Sequence, residues 1–210
     1  MNETIDLEKI EQKTFGEFMI DGFTEILAGL LLILMPLFYS KSIFIVFLVF
    51  FVLFSHLGVE KIRERTTYPR IGRVEFKRDD EKADYSVKKS LLDFLLLLLA
   101  TVLITFTVMY FVEGEILASH LWYKWVPLTF GLIMFGPSLY LVEKTGQRRY
   151  YLFGVFATIL GFVFSIQTFS DVKVGMYLYF VVLGIFVLFF GISKYIWFIR
   201  NYPVILIEEE

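Results

Sequence analysis

Apolar positions gather into six long stretches, Met19–Phe38, Ile43–Val59, Leu91–Val112, Trp122–Val142, Tyr150–Phe169 and Val174–Ile199, with most charges in the gaps between them. A helix crossing a bilayer core of about 30 Å needs about 20 mostly apolar residues. A soluble helix carries one apolar stripe, whereas these stretches are apolar on nearly every side. The pattern therefore predicts an all-α, polytopic membrane protein. Its six transmembrane helices form one bundle and one domain over residues 1–210, with a cytoplasmic loop at 60–90.

Each stretch carries its own punctuation. The clean apolar run of the first, Ile26–Phe38, is too short to span, so Met19–Glu25 must join it. Glu17, Asp21 and Glu25 then recur every four residues and fall on one helical face. A carboxylate at that depth is expected to face protein, a cation or water; near a span end it can also reach the headgroup zone. Ser90 and Asp93 match a capping box at the start of the third span. Pro127 is expected in the first turn of the fourth, where proline is tolerated, and Pro137 in its interior, where it should kink the helix. Gly154 and Gly161 in the fifth stretch, like Gly184 and Gly191 in the sixth, are seven residues apart, so each pair marks a face of close helix approach. In the long loop, Tyr68–Gly72 reads as a turn, Arg73–Lys77 as a short strand and Arg78–Lys82 as a solvated tip. Val59-Glu60-Lys61 and Val142-Glu143-Lys144 end two spans alike. A duplicated hairpin and a coincidence of common span-end residues both account for this.

Composition adds little to the fold and removes several chemistries. Hydrophobic residues make up 57% of the chain and Phe occurs 25 times, an excess suited to lipid-facing and helix-packing surface. Cysteine is absent, which excludes disulfides and thiolate chemistry. The acidic N-terminal segment has neither the basic start nor the short apolar core of a secretory signal. Charge sets orientation. Seventeen Lys and Arg lie in the N-terminal segment, the second and fourth connections and the C-terminal end; the other side has only Lys41, Lys124 and Lys173. The positive-inside rule places both termini in the cytoplasm. Trp122, Tyr123 and Trp125 are expected in the outer aromatic belt, and Tyr150, Tyr151, Tyr195 and Trp197 near the inner one.

The string Thr67-Tyr68-Pro69-Arg70-Ile71-Gly72-Arg73-Val74-Glu75-Phe76 resembles the TYPRxGYVxF-type cytoplasmic loop motif of a group of prokaryotic multi-pass membrane proteins to which no activity is assigned. Arg73 stands where that motif carries Tyr. The resemblance implies a prokaryotic plasma membrane and directs attention to the loop. It implies no mechanism.

Candidate chemistry is sparse. Glu113, Glu115 and His120 could hold a divalent ion, but their spacing matches no metal motif, and an ordinary polar loop accounts for them. No nucleophile elbow, zinc-protease motif or phosphate loop is present, so no metal and no cofactor is expected. The ten basic residues of the second connection alternate with seven acids beside a membrane, which fits orientation and anionic lipid headgroups and argues against nucleic acid. One constellation stands out. Asp21, Glu25, Glu60 and Glu143 share the expected cytoplasmic face with Tyr68, Arg70, Arg73, Arg148 and Lys194. Either it binds a headgroup or anion, or it is a set of ion pairs that pin the loop to the helix ends. Arg70 is expected to take Glu60, Asp21 or Glu25. The leading functional expectation is a non-enzymatic accessory or structural protein acting through lipid or protein contacts. The alternatives are a small transporter using Asp21 and Glu25, and a lipid-modifying enzyme with a cytoplasm-facing site.

Overall fold

The computed structural model describes residues 16, 19–40, 58–72, 80–114 and 119–203. Every described element is helical. They are α1 (Phe23–Ser40), α2 (described over 58–66), α3 (Tyr68–Ile71), α4 (Asp80–Glu113), α5 (Ser119–Thr145), α6 (Arg149–Ile166) and α7 (Val172–Asn201). Among the described residues, four segments are long and apolar enough to cross a membrane: Leu95–Glu113, Trp122–Thr145, Arg149–Ile166 and Val172–Asn201. Phe23–Leu37 is a shorter apolar helix. Such lengths and compositions are those of an integral membrane protein. Most of the second apolar stretch, the strand expected at Arg73–Lys77, Glu17 and Glu115 lie outside the described residues.

Three boundaries differ from the sequence reading. The first helix begins at Phe23, because Gly22 adopts φ 74°, a left-handed conformation open to glycine. Asp21 therefore sits on a turn before the helix and does not share one helical face with Glu25. The third apolar stretch is entered eleven residues early, at Asp80, so Ser90 and Asp93 lie inside α4 and do not cap its start. No glycine or proline interrupts Asp80–Glu113, and Glu, Lys, Ala and Leu there favour helix. α5 likewise starts at Ser119, which puts Pro127 in its interior with Pro137.

The chain forms two compact units, residues 1–75 with 180–210, and residues 76–179. In the first unit, α1 and the later part of α7 touch backbone to backbone. A methyl group added at Gly29 would lie 2.6 Å from the Leu188 nitrogen; at Gly184, 2.8 Å from the Gly29 oxygen; at Gly191, 2.7 Å from the Ile26 nitrogen. Lipid tails give helices no hydrophobic reason to associate, so close packing of small residues supplies much of the attraction.

In the second unit, α6 turns Gly154, Ala157, Gly161 and Ser165 inward, all buried. Gly161 packs against the Pro127 carbonyl. Pro127 cannot join the helical ladder, and the Leu128 N–H just after it donates to Ser165 Oγ at 3.2 Å. Thr129 and Thr105 hydroxyls, 3.3 Å apart, link α5 to α4. Tyr179 OH donates to the Ala157 carbonyl at 3.3 Å. The opposite face of α4 is bare hydrocarbon: Leu96, Leu99 and Leu103 are each more than half exposed and Phe111 is 81% exposed. Exposed apolar surface of this extent is lipid-facing in a membrane protein.

Two aromatic-belt expectations fail. Trp125 is buried with Met109 and Leu128, and Tyr150 is buried beside Phe153, while Trp122, Tyr123, Tyr151 and Trp197 are exposed. Position along a span sets depth; it does not set which side of the helix faces lipid.

Candidate functional site

Among the described residues of the first unit, Asp21 is the most enclosed charged one, with no exposed surface. Its carboxylate accepts Arg63 Nε at 2.6 Å and Arg63 Nη2 at 3.0 Å, a two-pronged contact. It also accepts the Thr67 hydroxyl at 3.3 Å and the Phe23 N–H at 3.2 Å. Phe23 is the first residue of α1, so the anion sits at a helix N-terminus, where free N–H groups and the helix dipole favour it. Arg63 and Thr67 are four residues apart across the end of α2, which brings both to one side. The outward side of that segment carries Lys61, Ile62 and Arg65, all exposed. Arg63 Nη2 also reaches the Thr24 hydroxyl at 3.5 Å.

Glu25 lies in the first turn of α1 and is 5% exposed. Lys194 of α7 approaches it at 3.7 Å and donates to the Met19 carbonyl at 2.7 Å. The rings of Phe23 and Tyr195 pack beside this group, with centroids 5.0 Å apart. Neither carboxylate faces outward, as the cost of a lipid-facing charge requires.

Arg70 does something other than expected. Its described partners are not carboxylates: Nη1 donates to the Tyr202 carbonyl and, at 3.4 Å, to that of Ile199. These carbonyls close the C-terminal end of α7, where unpaired oxygens and the helix dipole attract a cation. The Tyr68–Ile71 turn is one turn of helix ended by Gly72 at φ 82°. It straps the end of α2 to the end of α7.

The candidate residues divide between the two units. Asp21, Glu25, Glu60, Tyr68 and Arg70 belong to the first unit, Glu143 and Arg148 to the second, and Arg73 lies outside the described residues. Arg63, which holds Asp21 together with Thr67, enters the sequence reading only through the charge count, and Thr67 only as the first residue of the loop motif. Their i, i+4 spacing was the available signal.

The second unit carries an ion pair beside a cleft. Glu113, at the end of α4, pairs with Lys124 in the second turn of α5. The pair borders a cleft of about 170 Å³, also lined by Phe164, Gln167, Phe169 and Met176. Among the described residues no group of His, Cys, Asp and Glu is placed to hold a metal ion.

No protein-family model, curated protein or solved structure matches this chain.

Proposed function

We propose that the chain is a non-enzymatic accessory or structural membrane protein that acts through lipid or protein contacts. The observation that carries this reading is the enclosure of Asp21, whose carboxylate is committed to Arg63, Thr67 and the head of α1. A carboxylate that carries a proton or ion must meet water during its cycle, and a ligand site must leave acceptor capacity open. Asp21 is instead a latch, joining the turn before α1 to α2. We extend the reading to six spans with both termini in the cytoplasm; the one-sided distribution of Lys and Arg supports it. The likeness of 67–76 to a multi-pass family motif is the ground on which we extend the reading to a prokaryotic plasma membrane.

Carbodiimide labelling of the folded, reconstituted chain tests the latch, with exposed Asp171 as the internal reference. Asp21 should stay unmodified while Asp171 reacts. Modification of Asp21 in a chain that keeps its unfolding profile would overturn the reading and favour a small transporter built on Asp21 and Glu25.

A further inference from the structure

The cleft beside Glu113 and Lys124 lies where α4 ends, α5 has just begun, α6 has ended and α7 begins. Four apolar helices therefore terminate around it, which sets it at a membrane surface. Its wall carries one carboxylate and one ammonium side by side, over the rings of Phe164 and Phe169 and the side chain of Met176. The two rings stack within 8° of parallel with centroids 5.9 Å apart, and Phe169 lies over Gly175, where a methyl group would meet the ring at 2.7 Å. The absence of a side chain at Gly175 thus seats the ring that forms one wall.

We propose that this cleft binds the headgroup of a zwitterionic, primary-amine phospholipid, of the phosphoethanolamine type. This deepens the reading of a protein acting through lipid contacts and rests on it. The ligand's phosphate meets the Lys124 ammonium, and its own ammonium donates hydrogen bonds to the Glu113 carboxylate. Both contacts are charge-assisted, which makes them strong and directional. The apolar wall accepts the start of the lipid's hydrocarbon. At about 170 Å³ the cleft falls below the roughly 300–1,000 Å³ of sites for drug-sized ligands, which suits a headgroup.

Glu113 and Lys124 already pair with each other, so the lipid must exchange that contact for two new ones. The exchange is open to a ligand because both side chains line the cleft and are about a fifth exposed, 21% and 22%. The signs also select among lipids. A purely anionic headgroup would satisfy Lys124 and be repelled by Glu113. A quaternary amine offers Glu113 no N–H donor.

The test is lipid retention by the purified full-length chain, read by native mass spectrometry after equilibration with equal amounts of phosphatidylethanolamine, phosphatidylcholine and phosphatidylglycerol. Wild type should retain phosphatidylethanolamine preferentially. E113Q and K124M should each lower that retention about tenfold, the effect of losing one charge-assisted contact. The charge-swapped E113K/K124E chain keeps an ion pair, and so the fold, yet should also lose the preference, because a lipid anchored in the bilayer cannot reverse its headgroup. Equal retention of phosphatidylethanolamine by wild type, E113Q and K124M would overturn the site, as would a wild-type preference for phosphatidylglycerol. Either result leaves the broader lipid-contact reading standing. Loss of all three lipids from the wild-type chain would remove that reading as well.

Discussion

Replacing Arg63 by Met removes one partner of a pair whose side chains are 8% and 0% exposed. Asp21 would then keep only the Thr67 hydroxyl and the Phe23 N–H, and would lose its charge-assisted bonds at 2.6 and 3.0 Å. Removing one member of a buried pair typically costs about 3–5 kcal/mol, because the survivor stays buried and uncompensated. That is a large share of the roughly 5–15 kcal/mol that holds a folded domain together. Asp21→Asn should be costly in the same way, because it removes the carboxylate charge that Arg63 meets at 2.6 and 3.0 Å. The double variant D21N/R63M buries no charge and should cost much less than the sum. The cycle should therefore return a coupling of about 2–3 kcal/mol, the upper range for residues sharing one network. Reversible unfolding in mixed micelles, followed by tryptophan fluorescence, measures all four corners. Additive effects within about 0.5 kcal/mol would mean that Asp21 and Arg63 behave as an exposed surface pair, and the latch would be refuted.

Further outcomes follow from the same contacts. Arg70→Ala should uncap α7 and speed amide exchange over 198–202, with a global cost of about 1–2 kcal/mol; unchanged exchange there would show that the strap does not hold the helix end. Gly191→Leu should destabilise by more than about 3 kcal/mol, because the added side chain meets the Ile26 backbone, whereas Ile185→Ala, at a site 54% exposed, should cost under about 1 kcal/mol by unfolding in the same micelles. Ser165→Ala should cost about 1 kcal/mol by withdrawing the acceptor of the Leu128 N–H; a neutral result would show that the N–H is satisfied within α5. A reporter active only in the cytoplasm should work when fused after Glu210 and fail when inserted at Glu113; the reverse would invert the proposed orientation.

The sequence made some of this legible and hid the rest for physical reasons. Apolar run length located the four long helices, because crossing hydrocarbon demands that length. Glycine spacing located their contact faces: Gly154 with Gly161, and Gly184 with Gly191, all stand at close approaches. Gly22 and Gly29 share that spacing and belong to the same crossing, so the signal was present on the partner helix too. Trp125 and Tyr150 were misplaced because a helix apolar all round carries no periodicity from which to choose a face. Asp21 and Glu25 stood out as acids at the head of an apolar run. Arg63 did not, because it is 42 residues away among ten basic residues of one connection, and composition cannot rank them. Arg70 attracted attention through its motif, yet it serves helix carbonyls. A guanidinium fits those as well as carboxylates, and sequence does not distinguish the two.

The latch and the glycine crossing are one device seen at two depths. Gly22 lets the chain turn into α1, and its lack of a side chain lets the Gly191 carbonyl come close; Lys194 Cβ and the Tyr195 nitrogen lie just beyond, at 3.2 and 3.3 Å from where a methyl group would sit. That approach puts Lys194, three residues after Gly191, within reach of the Met19 carbonyl and Glu25. The same turn puts Asp21 at the head of α1, where Arg63 and Thr67 meet it from α2. Packing therefore fixes the positions that let each buried charge find a partner. The partners in turn restrain the turn that permits the packing. In a membrane, where apolar burial gives helices little reason to pair, such coupling of close contact with buried polar bonds is a physical route to one arrangement. A side chain added at Gly22 should consequently disturb Lys194 and Asp21 together, and a change confined to either ion pair should be felt at the crossing.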